Sequence, residues 1–156
     1  MKQKKLFHII VASGFGSGFA PFAPGTAGAA LATVIWIVLS LFAPLSLLSI
    51  TVALIVIFTV LGVWSANVLE PVWGKDPSRI VVDEMVGVWI SLLAASAGNL
   101  YHALIAFALF RLFDIYKPLG IRKMEDLKGG WGVMMDDVLA GVYGFIILWG
   151  GRWLIG

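Results

Sequence analysis

Residues 46–69, SLLSITVALIVIFTVLGVWSANVL, contain no charged side chain. A helix crossing a bilayer needs roughly 20 mostly apolar residues, so this run is long enough to span. In lipid, every backbone N–H and C=O must find its partner inside the protein, which leaves helices or closed barrels. The run lacks the two-residue alternation of a barrel strand and reads as helix. Four further apolar segments, at 27–42, 80–97, 100–117 and 132–155, extend the pattern. The expected fold is all-α: an integral membrane bundle of about five embedded helices, forming one domain over residues 1–156. Composition agrees, with 60% hydrophobic and 13% charged residues, where soluble domains have about 45–50% and about 25%.

The segment at 27–42 is short for a span. It is expected to be continued by the Gly/Pro-rich stretch 14–26, read as a re-entrant or interfacial N-terminal segment. The start, MKQKKLFHIIVAS, has a short apolar run that includes His8 and lacks a clear small-x-small cleavage site. It is read as a retained interfacial piece rather than a signal peptide. Tight joins at Ala43–Pro44–Leu45 and Gly98–Asn99 make neighbouring helices antiparallel. Lys2, Lys4, Lys5, Lys75, Arg79, Lys117, Arg122, Lys123 and Lys128 then fall on one side, with Arg111 nearby, while the other side has Arg152. The positive-inside rule assigns the basic side to the cytoplasm. A formal charge of +2 is too small to suggest a nucleic-acid partner. The absence of cysteine excludes disulfides, thiolate metal sites and cysteine nucleophiles.

Five carboxylates share the basic side. Asp83 and Glu84 lie one turn into the third apolar segment, Asp114 one turn before the end of the fourth, and Asp136 and Asp137 one turn into the fifth. A helical turn rises about 5.4 Å, so the five are expected in one shallow layer. A lone carboxylate near a helix end reads as a wet interfacial residue. Five at one depth repel one another, and ionisable groups within membrane segments point to function. Two cation sources can offset the repulsion. Arg111, Asp114 and Lys117 recur every three residues along one side of a helix. A bound divalent ion is the other, and hard oxygen ligands favour magnesium over zinc.

The stretch ASGFGSGFAPFAPGTAGAALA, residues 12–32, lies on the same side. Its glycines permit positive φ and close backbone approach, Pro21 and Pro24 stiffen it, and Thr26 is placed to cap the following helix. A Gly-rich turn feeding a helix N-terminus offers N–H groups to an anion, although small residues also serve helix packing. A further cluster, KGGWGVMMDD, leads into the acidic pair, either as a flexible connection or as a ligand contact. Carboxylates, a cationic helix face and an anion-binding turn together suggest metal-assisted chemistry on a phosphate. A small cation transporter or channel would use the same acidic layer as an ion site and is the rival reading. The far halves of the helices contain no acidic residue to continue such a path. Small-residue faces such as GVYG permit helix association without demanding it.

At GFGSGFAPFAPGTAG (14–28), IVVDEMVGVW (80–89), FRLFDIYKPLGIR (110–122) and GGWGVMMDDVLAG (129–141), the chain resembles the phosphatidylglycerophosphatase A family of bacterial membrane phosphatases. The order and spacing of these motifs cover nearly the whole chain. It departs from the family pattern at Ala29, where a serine is usual, and at Gly120, where the family usually has KPxPI. Motifs of other lipid-phosphate enzymes, DxDx(T/V), PSGH and DG…AR…G…D…D, are missing.

The resemblance implies Mg2+-dependent hydrolysis of the terminal phosphate of phosphatidylglycerophosphate to phosphatidylglycerol and phosphate, in the bacterial inner membrane with the site facing the cytoplasm. In that reading Asp83, Glu84, Asp136 and Asp137 bind one or two Mg2+ ions, and Asp114 is a further ligand or orients the attacking water. Arg111 and Lys117 pair with phosphate oxygens, with Gly16, Ser17, Gly25 and Thr26 in the anion-binding turn. Water or a carboxylate can serve as nucleophile. His8 reads as an interfacial histidine rather than a proton donor, and His102 falls on the far side.

Overall fold

The computed structural model describes residues 2–155, all of whose regular structure is helical. Six α-helices follow in order: α1 (Lys2–Ala12), α2 (Pro24–Phe42), α3 (Leu47–Trp73), α4 (Val82–Leu92), α5 (Leu100–Tyr116) and α6 (Gly130–Ile155). Short 3₁₀ turns occupy Ser17–Phe19, Pro44–Ser46 and Arg122–Asp126. The helices α2, α3 and α6 are long and apolar enough to cross a membrane. On α3 the side chains of Leu48, Val52, Val56, Ile57, Val60 and Trp64 all face outward. In water such a stripe would be a liability, whereas against lipid it is the ordinary outer surface of a span. The chain is an integral membrane helical bundle.

Local chemistry sets the helix ends. Pro24 stands in the first turn of α2, where its missing N–H costs nothing, after Ala23 in a left-handed conformation. The helix thus begins earlier than its apolar pattern suggested, and Thr26 lies within the first turn instead of capping it. Asn99 caps α5, its side chain accepting from the His102 N–H at 3.0 Å. The first residue of α6 is capped from another helix: Asn67 Oδ1 of α3 accepts from the Gly130 N–H at 2.7 Å.

The third apolar segment, expected over 80–97, forms a helix only over Val82–Leu92. At 1.5 Å per residue its 11 residues reach about half the hydrocarbon thickness. It has no need to reach both surfaces, because α2, α3, α5 and α6 all pack around it. Nine of its residues, including Met85, Val86, Val88, Trp89 and Leu92, are buried. Residues 93–99 then turn back to α5, and this loop is tied down at the far end of the bundle. Arg152 donates to the Ala94 carbonyl, and the Ser96 N–H donates to His102 Nδ1 at 3.1 Å. The cation on the far side therefore satisfies a loop carbonyl that lipid would leave unpaired.

Glycines set how closely α6 approaches α4. A Cβ on Gly87 would lie 2.7 Å from the Asp137 carbonyl oxygen and would also strike the Phe110 ring. A Cβ on Gly141 would collide with the Gly87 carbonyl, and Ser91 Oγ donates to the Gly141 carbonyl at 2.9 Å. The GVYG face is thus spent inside the chain. This close approach brings the start of α4, with Asp83 and Glu84, beside Asp137 of α6.

Gly87→Ala is expected to destabilise the bundle by about 1–3 kcal/mol through overpacking. Unfolding of detergent-solubilised protein in increasing SDS measures it, and wild-type stability would contradict so close an α4–α6 contact.

Candidate active site

The acidic residues reach the site from near three helix ends, and the helix dipole favours only the pair on α4. Asp83 and Glu84 stand in the first turn of α4, where the helix dipole favours negative charge. Asp114 lies in the last turn of α5, and Asp136 and Asp137 follow the glycine-rich start of α6. Asp83, Asp114, Asp136 and Asp137 are all buried, and Glu84 is partly so. The bundle packs around the five carboxylates, and three helices bring them close together.

Two overlapping triads emerge. One carboxylate oxygen from each of Asp83, Glu84 and Asp137 lies within 4.8 Å of the others, and the same holds for Asp114, Asp136 and Asp137. Opposite ligands of an octahedral Mg2+ lie about 4 Å apart, so each triad is close to the size of a hard-cation site.

The basic side chains serve the triads unequally. Arg111 Nη1 pairs with Asp114 Oδ2. Lys117 Nζ lies 2.7 Å from Asp136 Oδ2, 3.5 Å from Asp114 Oδ1 and 3.4 Å from Glu125 Oε1. Among the described residues, no ion pair reaches Asp83, Glu84 or Asp137.

The buried atoms left without a hydrogen-bond partner are Asp83 Oδ1, Glu84 Oε2, Asp136 Oδ1, Asp137 Oδ1 and Arg111 Nε. A buried polar group left unpaired costs about 1–3 kcal/mol, and more when it is charged. Four are acceptors that call for a cation, and one is a donor that calls for an anion. The all-oxygen donor set fits a hard divalent ion such as Mg2+.

The glycine-rich stretch folds against the start of α4. A Cβ on Gly18 would strike the Arg79 carbonyl, one on Gly28 would lie 2.7 Å from Val81 Cβ, and one on Gly14 would lie 2.7 Å from Met85 Sδ. The Val81 N–H also donates to the Ala12 carbonyl at 2.8 Å. These three glycines thus permit close packing. Gly25 stands at the site itself, where a Cβ would lie 2.7 Å from Glu84 Oε1 and 3.3 Å from Arg111 Nη1. Gly16 has φ +95° and open space beside it, and Ser17 Oγ donates to the Gly14 carbonyl at 2.8 Å within its own turn. Thr26 is half-buried one residue beyond Gly25. Ala29 is fully buried, and Gly120 adopts φ +89° in the turn after α5.

Sequence reasoning passed over three residues near the site. Glu125 approaches Lys117 from the 3₁₀ turn Arg122–Asp126. Asn67 fixes where α6 starts, and an amide within an otherwise apolar span was its available signal. Asp76, in the loop between α3 and α4, keeps solvent contact but feels the cluster. Partial burial, then the charges of Asp83 and Glu125, push its carboxyl up to about 6, against the pull of Lys117. Neither histidine joins the site. His8 is buried against α3, with Nδ1 2.9 Å from Ser65 Oγ and its ring edge-on to Trp64, and His102 sits in the far loop.

Known proteins share this sequence pattern. The family model for phosphatidylglycerophosphatase A matches residues 10–152. The chain is 60% identical to a Bacteroides thetaiotaomicron protein named "Putative phosphatidylinositol-3-phosphatase", over all of both chains. It is 35% identical to phosphatidylglycerophosphatase A of Escherichia coli, covering 100% of this chain and 90% of that protein. It is 41% identical to phosphatidylglycerophosphatase A of Haemophilus influenzae, covering 89% and 85%. No solved structure matches the chain.

A carboxyl whose folded pKa lies above its unfolded value is costly to ionise in the folded state. For Asp76, raised from 3.8 to about 6, the penalty is absent below the lower value, grows through pH 6 and is complete above it. Asp76→Asn should therefore raise the melting temperature of chelator-treated protein at pH 8 and leave it unchanged near pH 3. An equal rise at both pH values would show that charge is not the cause.

Proposed function

The chain belongs to the phosphatidylglycerophosphatase A family, and from that premise we propose that it is a Mg2+-dependent lipid phosphatase. Its substrate in this reading is phosphatidylglycerophosphate, whose terminal phosphate monoester it hydrolyses. The observation that carries the reading is a set of orphaned buried atoms of both kinds: carboxylate oxygens on Asp83, Glu84 and Asp137, and a guanidinium N–H of Arg111, whose Nη1 flanks Gly25 opposite Glu84 Oε1. A hard cation together with a phosphate would satisfy both kinds at once.

The roles follow from these positions. Asp83, Glu84 and Asp137 would hold the ion, while Asp136 belongs to the second triad with Asp114 and Asp137. When bound, Mg2+ supplies charge neutralisation and Lewis-acid polarisation of the phosphoryl group. Arg111 Nε donates to a phosphate oxygen, while Asp114, holding Nη1, fixes the guanidinium plane. Gly25 leaves room for substrate beside Glu84 and Arg111. Asp136 Oδ1 accepts the proton of the attacking water, whose oxygen bonds to phosphorus as the bond to the glycerol oxygen breaks. The proton held by Asp136 then passes to the departing oxygen, giving phosphatidylglycerol and inorganic phosphate.

The 60% identity to a protein named for phosphatidylinositol 3-phosphate supports a second substrate within the same reaction class. Both names denote phosphatases of phosphatidyl lipids. For location, the Lys- and Arg-rich loops around the site support a bacterial inner-membrane protein with the site facing the cytoplasm.

Phosphate release from detergent-solubilised protein is expected with phosphatidylglycerophosphate and to stop with EDTA, returning on Mg2+ addition. It should exceed release from phosphatidylinositol 3-phosphate; the reverse order would reassign the substrate and keep the chemistry. Asp83→Asn, Asp114→Asn and Asp137→Asn should each lose about 10²-fold or more in rate while remaining folded. Full activity in all three would remove the carboxylate centre. A cysteine placed at Lys123 should react with an impermeant thiol reagent only when the cytoplasmic face is open; reaction from outside alone would invert the topology.

A further inference from the structure

We infer that the carboxylate cluster takes one divalent cation, held by Asp83, Glu84 and Asp137, and that the Lys117 ammonium stands where a second ion would bind, between Asp114 and Asp136. The inference rests on the metal-dependent reading above and refines it.

The two triads are similar in size but differ in what already occupies them. In the first, each residue has a buried oxygen without a partner: Asp83 Oδ1, Glu84 Oε2 and Asp137 Oδ1. Asp83 and Asp137 are 4% and 2% exposed, so water reaches them poorly. No ion pair among the described residues reaches these three carboxylates, although Arg111 Nη1 lies across Gly25 from Glu84 Oε1. In the second triad, both oxygens of Asp114 are engaged, Oδ2 by Arg111 and Oδ1 by Lys117 at 3.5 Å. Asp136 Oδ2 accepts from Lys117 Nζ at 2.7 Å. With Asp137 assigned to the first triad, Arg111 and Lys117 set two positive charges against the carboxylates of Asp114, Asp136 and Glu125. Most of the negative charge in that half is offset before any ion arrives.

A second Mg2+ would have to displace the ammonium or sit beside it, and like charges at such spacing oppose each other strongly. The backbone holds the lysine in place. Lys117 caps α5 in a left-handed conformation, φ +50°, where glycine is the usual residue. Its N–H donates to the Phe113 carbonyl at 2.8 Å, and Tyr143 of α6 donates to the Leu119 carbonyl at 2.6 Å, tying the same turn to α6. The side chain that emerges there meets Asp114, Glu125 and Asp136 from three separate elements. Lysine's compact charge and three donors suit such a bridging position.

Mn2+ can replace Mg2+ as a paramagnetic probe, with bound ions counted by EPR and elemental analysis on the full chain in detergent. Wild type should bind one ion per chain and show no Mn–Mn dipolar coupling. Lys117→Met should bind two ions with a coupled signal, and Lys117→Arg should stay at one. If Lys117→Met does not fold, Asp136→Asn decides: one ion should remain with affinity within about threefold, whereas Asp83→Asn or Asp137→Asn should lose it. Two ions in wild type, a single ion in folded Lys117→Met, or loss of the ion in Asp136→Asn would each overturn the assignment. Zero ions in wild type would instead remove the metal-dependent reading on which it rests.

Discussion

The structure depends on keeping five carboxylates in a small volume at the end of a membrane bundle. Charges taken out of water are tolerated only when paired, hydrogen-bonded or bound to an ion. Most features near the site reduce that cost. The α4 dipole faces Asp83 and Glu84, Arg111 and Lys117 pair with Asp114 and Asp136, and one oxygen each of Asp83, Glu84 and Asp137 is left without a hydrogen-bond partner.

The short α4 is the element that makes the cluster possible. A full-length span in that position would have to present an apolar face to lipid or a partner along its whole length. An 11-residue helix enclosed by four others can end inside the bundle and spend its N-terminus on the site. The arrangement needs glycine where α6 crosses it. Gly87 and Gly141 let the backbones touch, and without that approach Asp83 and Asp137 would stand too far apart to share an ion. The glycine-rich stretch before α2 shows the same economy, since Gly14, Gly18 and Gly28 pack on residues 79–85 while Gly25 alone borders Glu84 and Arg111.

Membership of a lipid-phosphatase family and the geometry of the site are different kinds of observation. The family follows from similarity along residues 10–152. The site follows from which buried atoms lack partners, and those atoms include four carboxylate acceptors and one guanidinium donor. The proposal of a phosphate held between a cation and an arginine rests on both.

The sequence by itself determined the solvent, the helical class and the common level of five acidic residues. Apolar length is measured directly along the chain, and each residue advances a helix by a fixed rise, so Asp83, Glu84, Asp114, Asp136 and Asp137 could be placed in one layer. The third segment was legible as helix but not in length, because its end at Leu92 is set by surrounding helices and by the Arg152 and His102 contacts of the next loop. Pairing within the layer was not legible either. Rotation about each helix axis and the distance between axes depend on side chains contributed by other helices. Only the tertiary structure could give Lys117 to Asp136, leave Asp137 open beside Asp83 and Glu84, and assign Asn67 to cap α6.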